Sequence, residues 1–174
     1  MSKILILYAS QKGSTAEVAA RLGEQLQAAN HEIRIANALG YEGDIHRYNA
    51  VILGSGIYKG MWLHSMLNTV NRLMPQFQQK PVWGFSLCVR VLEPAGEDYA
   101  RQYYLPSNIL KKLNLQDYHF FAGRLANLSM SEKATLAERY DGWNYQAHEG
   151  DHRDWNEINE WGKSIAHQLS META

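Results

Sequence analysis

Six residues, Ser10-Gln11-Lys12-Gly13-Ser14-Thr15, gather three hydroxyls and little side-chain bulk around one glycine, directly after the apolar run from Ile4 to Tyr8. Small residues after a strand let backbone N–H groups converge on an anion. A helix starting there adds unpaired N–H groups and roughly half a positive charge. Phosphate is the anion that such a loop fits. The rival reading gives Ser14 or Thr15 only the ordinary work of capping a helix. No G-x-x-x-x-G-K-S/T and no G-x-G-x-x-G stands at this turn, which argues against ATP and NAD.

Two later stretches have the composition of ligand loops. Gly54-Ser55-Gly56-Ile57-Tyr58-Lys59-Gly60-Met61-Trp62 holds three glycines, which permit close backbone approach, and two aromatics, which can stack on a flat ring. Trp62 reads equally well as a core residue opening the next helix. The stretch from Leu87 through Cys88, Val89 and Arg90 to Gly96 is the other. Cys88 is the one cysteine; without a partner in an apolar run, it reads as a small buried hydrophobe rather than a redox thiol. His148, Glu149, Asp151, His152 and Asp154 crowd together but match no familiar metal-ligand spacing, and they read as a solvated loop with capping carboxylates. No metal site is expected. There is no G-x-S-x-G, so hydrolysis is unsupported, and no residue is assigned a catalytic role.

These loops must be positioned by alternating strands and helices. Lys3 to Ala9, Ala50 to Ser55 and Val82 to Val89 are near-continuous apolar runs of the kind buried on both faces of a parallel sheet. His31 to Ala36 alternates, as an edge strand does, and Tyr118 to Gly123 supplies a fifth, aromatic run. Thr15, Val18, Ala19, Leu22, Leu26 and Ala29 form a helical stripe. A second helix is expected over His64 to Phe77, ending near Pro75, and a third within Asp98 to Leu113, interrupted around Pro106. Asp154 and Glu157 have the spacing of a reciprocal N-terminal cap for a last helix carrying Ile158, Trp161, Ile165 and Leu169 on one face. The whole chain of 174 residues reads as one domain. A net charge of -1 gives no reason to expect a nucleic-acid partner, and a lone cysteine fits a reducing, cytoplasmic compartment. No stretch reaches the ~20 apolar residues of a membrane span; peripheral association stays open.

The loop Ser10 to Thr15 resembles the T-x-T-G-x-T phosphate loop of flavodoxins, with Lys12 standing where a hydroxyl residue is usual. The resemblance covers most of the chain and implies an α/β flavodoxin-like three-layer sandwich. Its five-stranded parallel sheet would have the order 2-1-3-4-5, with helices on both faces. It implies FMN, with the phosphate on Ser10, Gln11, Lys12, Gly13, Ser14 and Thr15. The flavin ring would then lie among Ser55, Gly56, Ile57, Tyr58, Lys59, Gly60, Trp62, Leu87, Cys88, Val89 and Arg90. Lys12 would pair with the phosphate or point into solvent. Tyr58 or Trp62 would stack on the ring, the Lys59–Gly60 peptide would answer the flavin's redox state, and Arg90 would lie near the pyrimidine edge or in solvent. No aromatic precedes Tyr99 in the third loop, so the outer ring face is expected to be open.

Within that superfamily the opening and the G-x-x-I of residues 54–57 resemble the menaquinone-dependent protoporphyrinogen oxidase type. That implies an FMN-dependent oxidoreductase of heme biosynthesis, dehydrogenating a porphyrinogen with a quinone or other acceptor. The alternative is a soluble electron carrier working between a reductase and a redox enzyme. Net charge near zero forfeits the steering that acidic carriers use and tilts the sequence reading toward the enzyme. The polar, charge-balanced segment from Asn127 to Gly150 departs from the oxidase pattern and tilts it back. The redox partner and the oligomeric state are not legible.

Overall fold

A computed structural model describes residues 1–139 and 148–172 of the chain. Strand β1 (Lys3–Ala9) leads through a short loop into helix α1 (Ser14–Ala28), and β2 (Glu32–Asn37) returns alongside β1. Next come β3 (Ala50–Tyr58), β4 (Met61–Trp62), α2 (His64–Arg72), α3 (Met74–Phe77) and β5 (Pro81–Leu87). Then α4 (Gly96–Tyr103), α5 (Ser107–Leu110), β6 (Asn114–Phe121), β7 (Arg124–Leu125), α6 (Met130–Arg139), β8 (Gly150–Asp151) and α7 (Trp155–Glu172) follow. The five long strands run parallel in the order β2-β1-β3-β5-β6, as expected, and β4 adds a short antiparallel pairing to β3.

Alternation within the apolar runs explains why both faces are covered. Leu5, Leu7, Val51, Leu53 and Val82 point to one side, where Met66, Val70, Phe77 and Ala100 cover them. Ile4, Ile6, Ile52, Trp83 and Phe85 point to the other, against Val18 and Leu22 of α1 and Ile158, Trp161 and Ile165 of α7. Each such aliphatic or aromatic side chain contributes about 1.5–3 kcal/mol by leaving water. The two faces are therefore comparable in weight.

Several boundaries differ from the sequence expectation, each for a local reason. The helix expected over His64 to Phe77 breaks at Leu73, because Pro75 occupies the start of α3, where a missing N–H is harmless. Strand β6 begins at Asn114 rather than Tyr118; apart from Leu115 its first half is polar and exposed, and its register slips against β5 between Val82 and Trp83. Asp154 caps α7, accepting from the N–H of Asn156 at 2.9 Å and of Glu157 at 3.2 Å. Glu157 does not complete a reciprocal cap: its carboxylate pairs with His119 at 2.9 Å. Gly54 also changes role. It lies inside β3, and a Cβ there would stand 2.1 Å from the ring of Phe85, which is wedged edge-on between Phe121 and Trp161. Its absent side chain makes room for packing, not for a ligand. Gly54→Ala should lower stability by about 1–3 kcal/mol through overpacking, read as a lower urea midpoint; an unchanged midpoint would show that Phe85 yields freely.

Candidate functional site

The carboxyl ends of β1, β3 and β5 lie side by side, so the three loops singled out in the sequence emerge at one edge of the sheet. In an open parallel sheet this edge is where ligands sit. A cavity opens there. Its walls come from Gln11, Lys12, Ser14 and Thr15, from Gly56 to Lys59, and from Leu87 to Arg90.

In the first loop, Gly13 takes φ +90°, a conformation that a side chain would strain, and it stands at the N-cap of α1. The Ser10 hydroxyl accepts from the Gly13 N–H at 2.9 Å, which closes the turn. No side chain caps α1, so neither Ser14 nor Thr15 does the capping of the rival reading; both line the cavity instead. The helix start thus turns its first donors and two hydroxyls toward the same space, the donor set an anionic oxygen requires.

The second loop is a β-hairpin. Tyr58 pairs with Met61 across Lys59 (φ 50°) and Gly60 (φ 73°), the two positive values that a tight two-residue turn of this hand requires. Ser55 fixes its base, donating to the Gly56 carbonyl at 2.9 Å and accepting from the Leu63 N–H at 3.0 Å. Tyr58 is exposed beside the cavity with the Lys59 ammonium 5.4 Å above its ring. Trp62 is the main correction to the sequence reading. Its side chain is 1 % exposed, and its indole N–H reaches the Tyr118 hydroxyl at 2.9 Å and the Ser86 hydroxyl at 3.2 Å. Ser86 and Tyr118 are hydrogen-bonded to each other as well, and burial pushes the Tyr118 phenol well above its ordinary value. Trp62 therefore anchors the hairpin in the core and offers no face for stacking. Ser10, Gly13, Ser55 and Gly60 shape the loops without lining the cavity.

In the third loop, burial pushes the Cys88 thiol up to about 11, which keeps it protonated and poorly nucleophilic at neutral pH. Arg90 lines the cavity and lays its guanidinium 4.2 Å from the centre of the Tyr99 ring.

The sequence reading missed a fourth wall. Gly123 to Ala126, Leu128, Glu132, Thr135 and Leu136 face the cavity, so the segment from β7 into α6 runs across the sheet edge as a strap. Lys12 neither meets solvent alone nor stands free for a ligand: its ammonium pairs with Glu132 at 2.9 Å and donates to the Asn127 carbonyl at 3.2 Å. The signal was present as Ser129-x-x-Glu132, a capping box. The Glu132 carboxylate accepts from the Ser129 N–H at 2.7 Å, and the Ser129 hydroxyl accepts from the Glu132 N–H at 3.2 Å. The Ser129 amide first, and then Lys12, hold that carboxyl near 2. Trp143 and Tyr145, also in this segment of the sequence, lie outside the described residues.

The acidic and histidine cluster is drawn into pairs of its own. Asp151 forks onto Arg153, whose side chain is 3 % exposed and also donates to the Ser14 carbonyl at 3.1 Å and to Glu17. His148 pairs with Glu93, and the ring of His152 meets the His148 carbonyl at 3.0 Å.

Comparison with known proteins agrees with this architecture. A flavodoxin from Streptococcus pneumoniae superposes with a TM-score of 0.60 at 12% identity, covering 98% of this chain and 99% of its own. A flavodoxin from the domain Archaea gives 0.57 at 14% identity, with 97% and 99% covered. A Fusobacterium nucleatum flavodoxin bound to flavin mononucleotide gives 0.56 at 15% identity, with 99% of each chain covered. At such identities the likeness is one of fold. No curated protein sequence matches the chain. The sequence model of the flavodoxin domain matches residues 5–138, and the chain belongs to that family.

Proposed function

We propose that the chain binds FMN in the cavity at the carboxyl edge of the sheet and serves as a flavodoxin-type electron carrier between redox partner proteins. The observation that carries this reading is the uncapped start of α1 opening into the same cavity as the hairpin turn and the loop from Leu87 to Arg90. The residues present fit the group. The phosphate would meet the N–H groups of the first turn with the hydroxyls of Ser14 and Thr15, and the ring would lie between residues 56–59 and 87–90. Gly56 belongs to that cradle, since a Cβ there would crowd the Thr15 hydroxyl at 3.3 Å. When bound, FMN supplies one- and two-electron chemistry; the chain orients it and tunes its electronics.

Net charge had tilted the sequence reading toward an enzyme, but net charge governs association rates rather than the chemistry of a site. The flavodoxin domain match and the flavodoxin neighbours support the carrier. Dehydrogenation of a porphyrinogen remains a second reading on one observation: Leu125, Leu128 and Leu136 give the cavity an apolar wall against which a flat substrate would rest. No helix among the described residues is long and apolar enough to cross a membrane. A cytoplasmic location rests on the single cysteine alone.

Three outcomes test this. FMN fluorescence should be quenched on titration with the protein, with affinity roughly ten- to a hundredfold above that for riboflavin, the value of charged hydrogen bonds to one phosphate; quenching of neither flavin sinks the proposal. Gly60→Ala, at a φ that is strained for alanine by about 1–2 kcal/mol, should move at least one reduction potential of the bound flavin. Two unchanged potentials would remove the Lys59–Gly60 peptide from any part in tuning it. The holoprotein should be reduced by a flavodoxin reductase and leave a porphyrinogen–quinone mixture dark, whereas porphyrin fluorescence growing with enzyme concentration would establish the second reading instead.

A further inference from the structure

Three cations stand around the loop from Ser10 to Thr15, and each already has a carboxylate. Arg153 is held by Asp151 and Glu17, Arg124 reaches Glu17 at 3.4 Å, and Lys12 meets Glu132 at 2.9 Å. Lys12, Arg124 and Arg153 are thus balanced by Glu17, Glu132 and Asp151. A phosphate dianion arriving at the start of α1 adds negative charge to a neutral network, and it is best accommodated where one pair gives way.

The three pairs are not equally able to yield. Arg153 is almost wholly buried and makes a two-bond fork to Asp151, so releasing it would strand a charge away from water. Arg124 pairs with Glu17 at 3.4 Å and that pair is comparably exposed, but Glu17 stands outside the cavity wall, whereas Lys12 and Glu132 both line it. The Lys12–Glu132 pair faces water, with side chains 45 % and 23 % exposed, and exposed pairs are weak. It also joins the loop to a different part of the molecule. Glu132 belongs to the strap, which leaves β7 through a left-handed residue, Asn127 (φ 54°), before entering α6.

Glu132 can leave Lys12 without unravelling its helix. Its bond from the Ser129 N–H and the return bond to the Ser129 hydroxyl close the end of α6 independently of Lys12. Its acidity, near 2, means that the carboxylate stays charged across the neutral range, so pH does not break the pair. A competing anion can.

We propose that Glu132 is a specificity-determining residue of the flavin site, its carboxylate holding Lys12 until the phosphate of the incoming flavin takes that lysine over and unlatches the strap. The proposal rests on the FMN reading above. A phosphorylated flavin exchanges one anion for another at Lys12. Riboflavin has nothing to offer the lysine and leaves the latch shut. The carboxylate and the phosphate compete, so removing the carboxylate's charge favours the phosphorylated ligand alone.

The test titrates FMN and riboflavin, by flavin fluorescence at low ionic strength, into the wild-type chain, Glu132→Gln, Lys12→Met and the double variant. Glu132→Gln keeps an acceptor for the Ser129 N–H, so α6 retains its cap. It should tighten FMN roughly two- to fivefold, the range for one exposed pair, and leave riboflavin unchanged. Lys12→Met alone should bind FMN more weakly than the double variant, because it leaves Glu132 unpaired beside the phosphate. Hydrogen exchange of the 127–139 amides in the wild type should quicken with saturating FMN and not with riboflavin. A ratio of FMN to riboflavin affinity that does not rise in Glu132→Gln, or equal weakening of both flavins, overturns the proposal while the FMN reading stands. A wild type that takes up neither flavin overturns both.

Discussion

The unsatisfied amino end of α1 is the constraint on which the rest of the molecule turns. A helix start buried at the sheet edge must find partners for its N–H groups. Here the nearest hydroxyl, Ser10, is spent on closing its own turn with Gly13, and no side chain caps the helix. Gly13 stands at the N-cap with φ +90°, and the loop that carries it leaves a largely buried strand, β1. Everything that follows in the chain serves to set other loops around this point. Parallel pairing in the order β1-β3-β5 puts β3 and β5 on the same side of β1, so their following loops share its edge.

Support beneath the site is polar as well as apolar. Trp62, Ser86 and Tyr118 satisfy one another in the core, joining the hairpin, β5 and β6 at the level where the cavity floor begins. A buried network with every member satisfied fixes geometry more sharply than apolar packing does, since each displaced donor would be left without water. The hairpin turn at Lys59–Gly60 thus projects from a rigid base.

What could be read in the sequence was whatever is local. Parallel strands buried on both faces show as unbroken apolar runs, so β1, β3 and β5 were plain, and alternation marked β2 as an edge. The loop from Ser10 to Thr15 was legible as a candidate anion site because glycine and hydroxyls follow a strand directly. The first half of β6 was hidden, since Asn114, Gln116 and Asp117 are polar and Leu115 is its one apolar residue packed against the core, too little to mark a strand. Trp62 was ambiguous, because an aromatic beside glycines suits both a stack and an anchor, and only its partners Ser86 and Tyr118, far along the chain, decide between them. Lys12 was beyond reach for the same reason: its carboxylate lies 120 positions away.

The pairing of charges also explains why an overall balance was a poor guide to function. A net charge of -1 describes the surface at a distance, whereas the loop sees Lys12, Arg124 and Arg153 within a few ångströms, each compensated in place. With the cations around the loop compensated in place, the amides of α1 and their dipole attract an anion there, and these act only within the first turn. Selectivity for an anion at this point would then be a question of fit at short range, beside a pair, Lys12 with Glu132, whose two members both line the cavity.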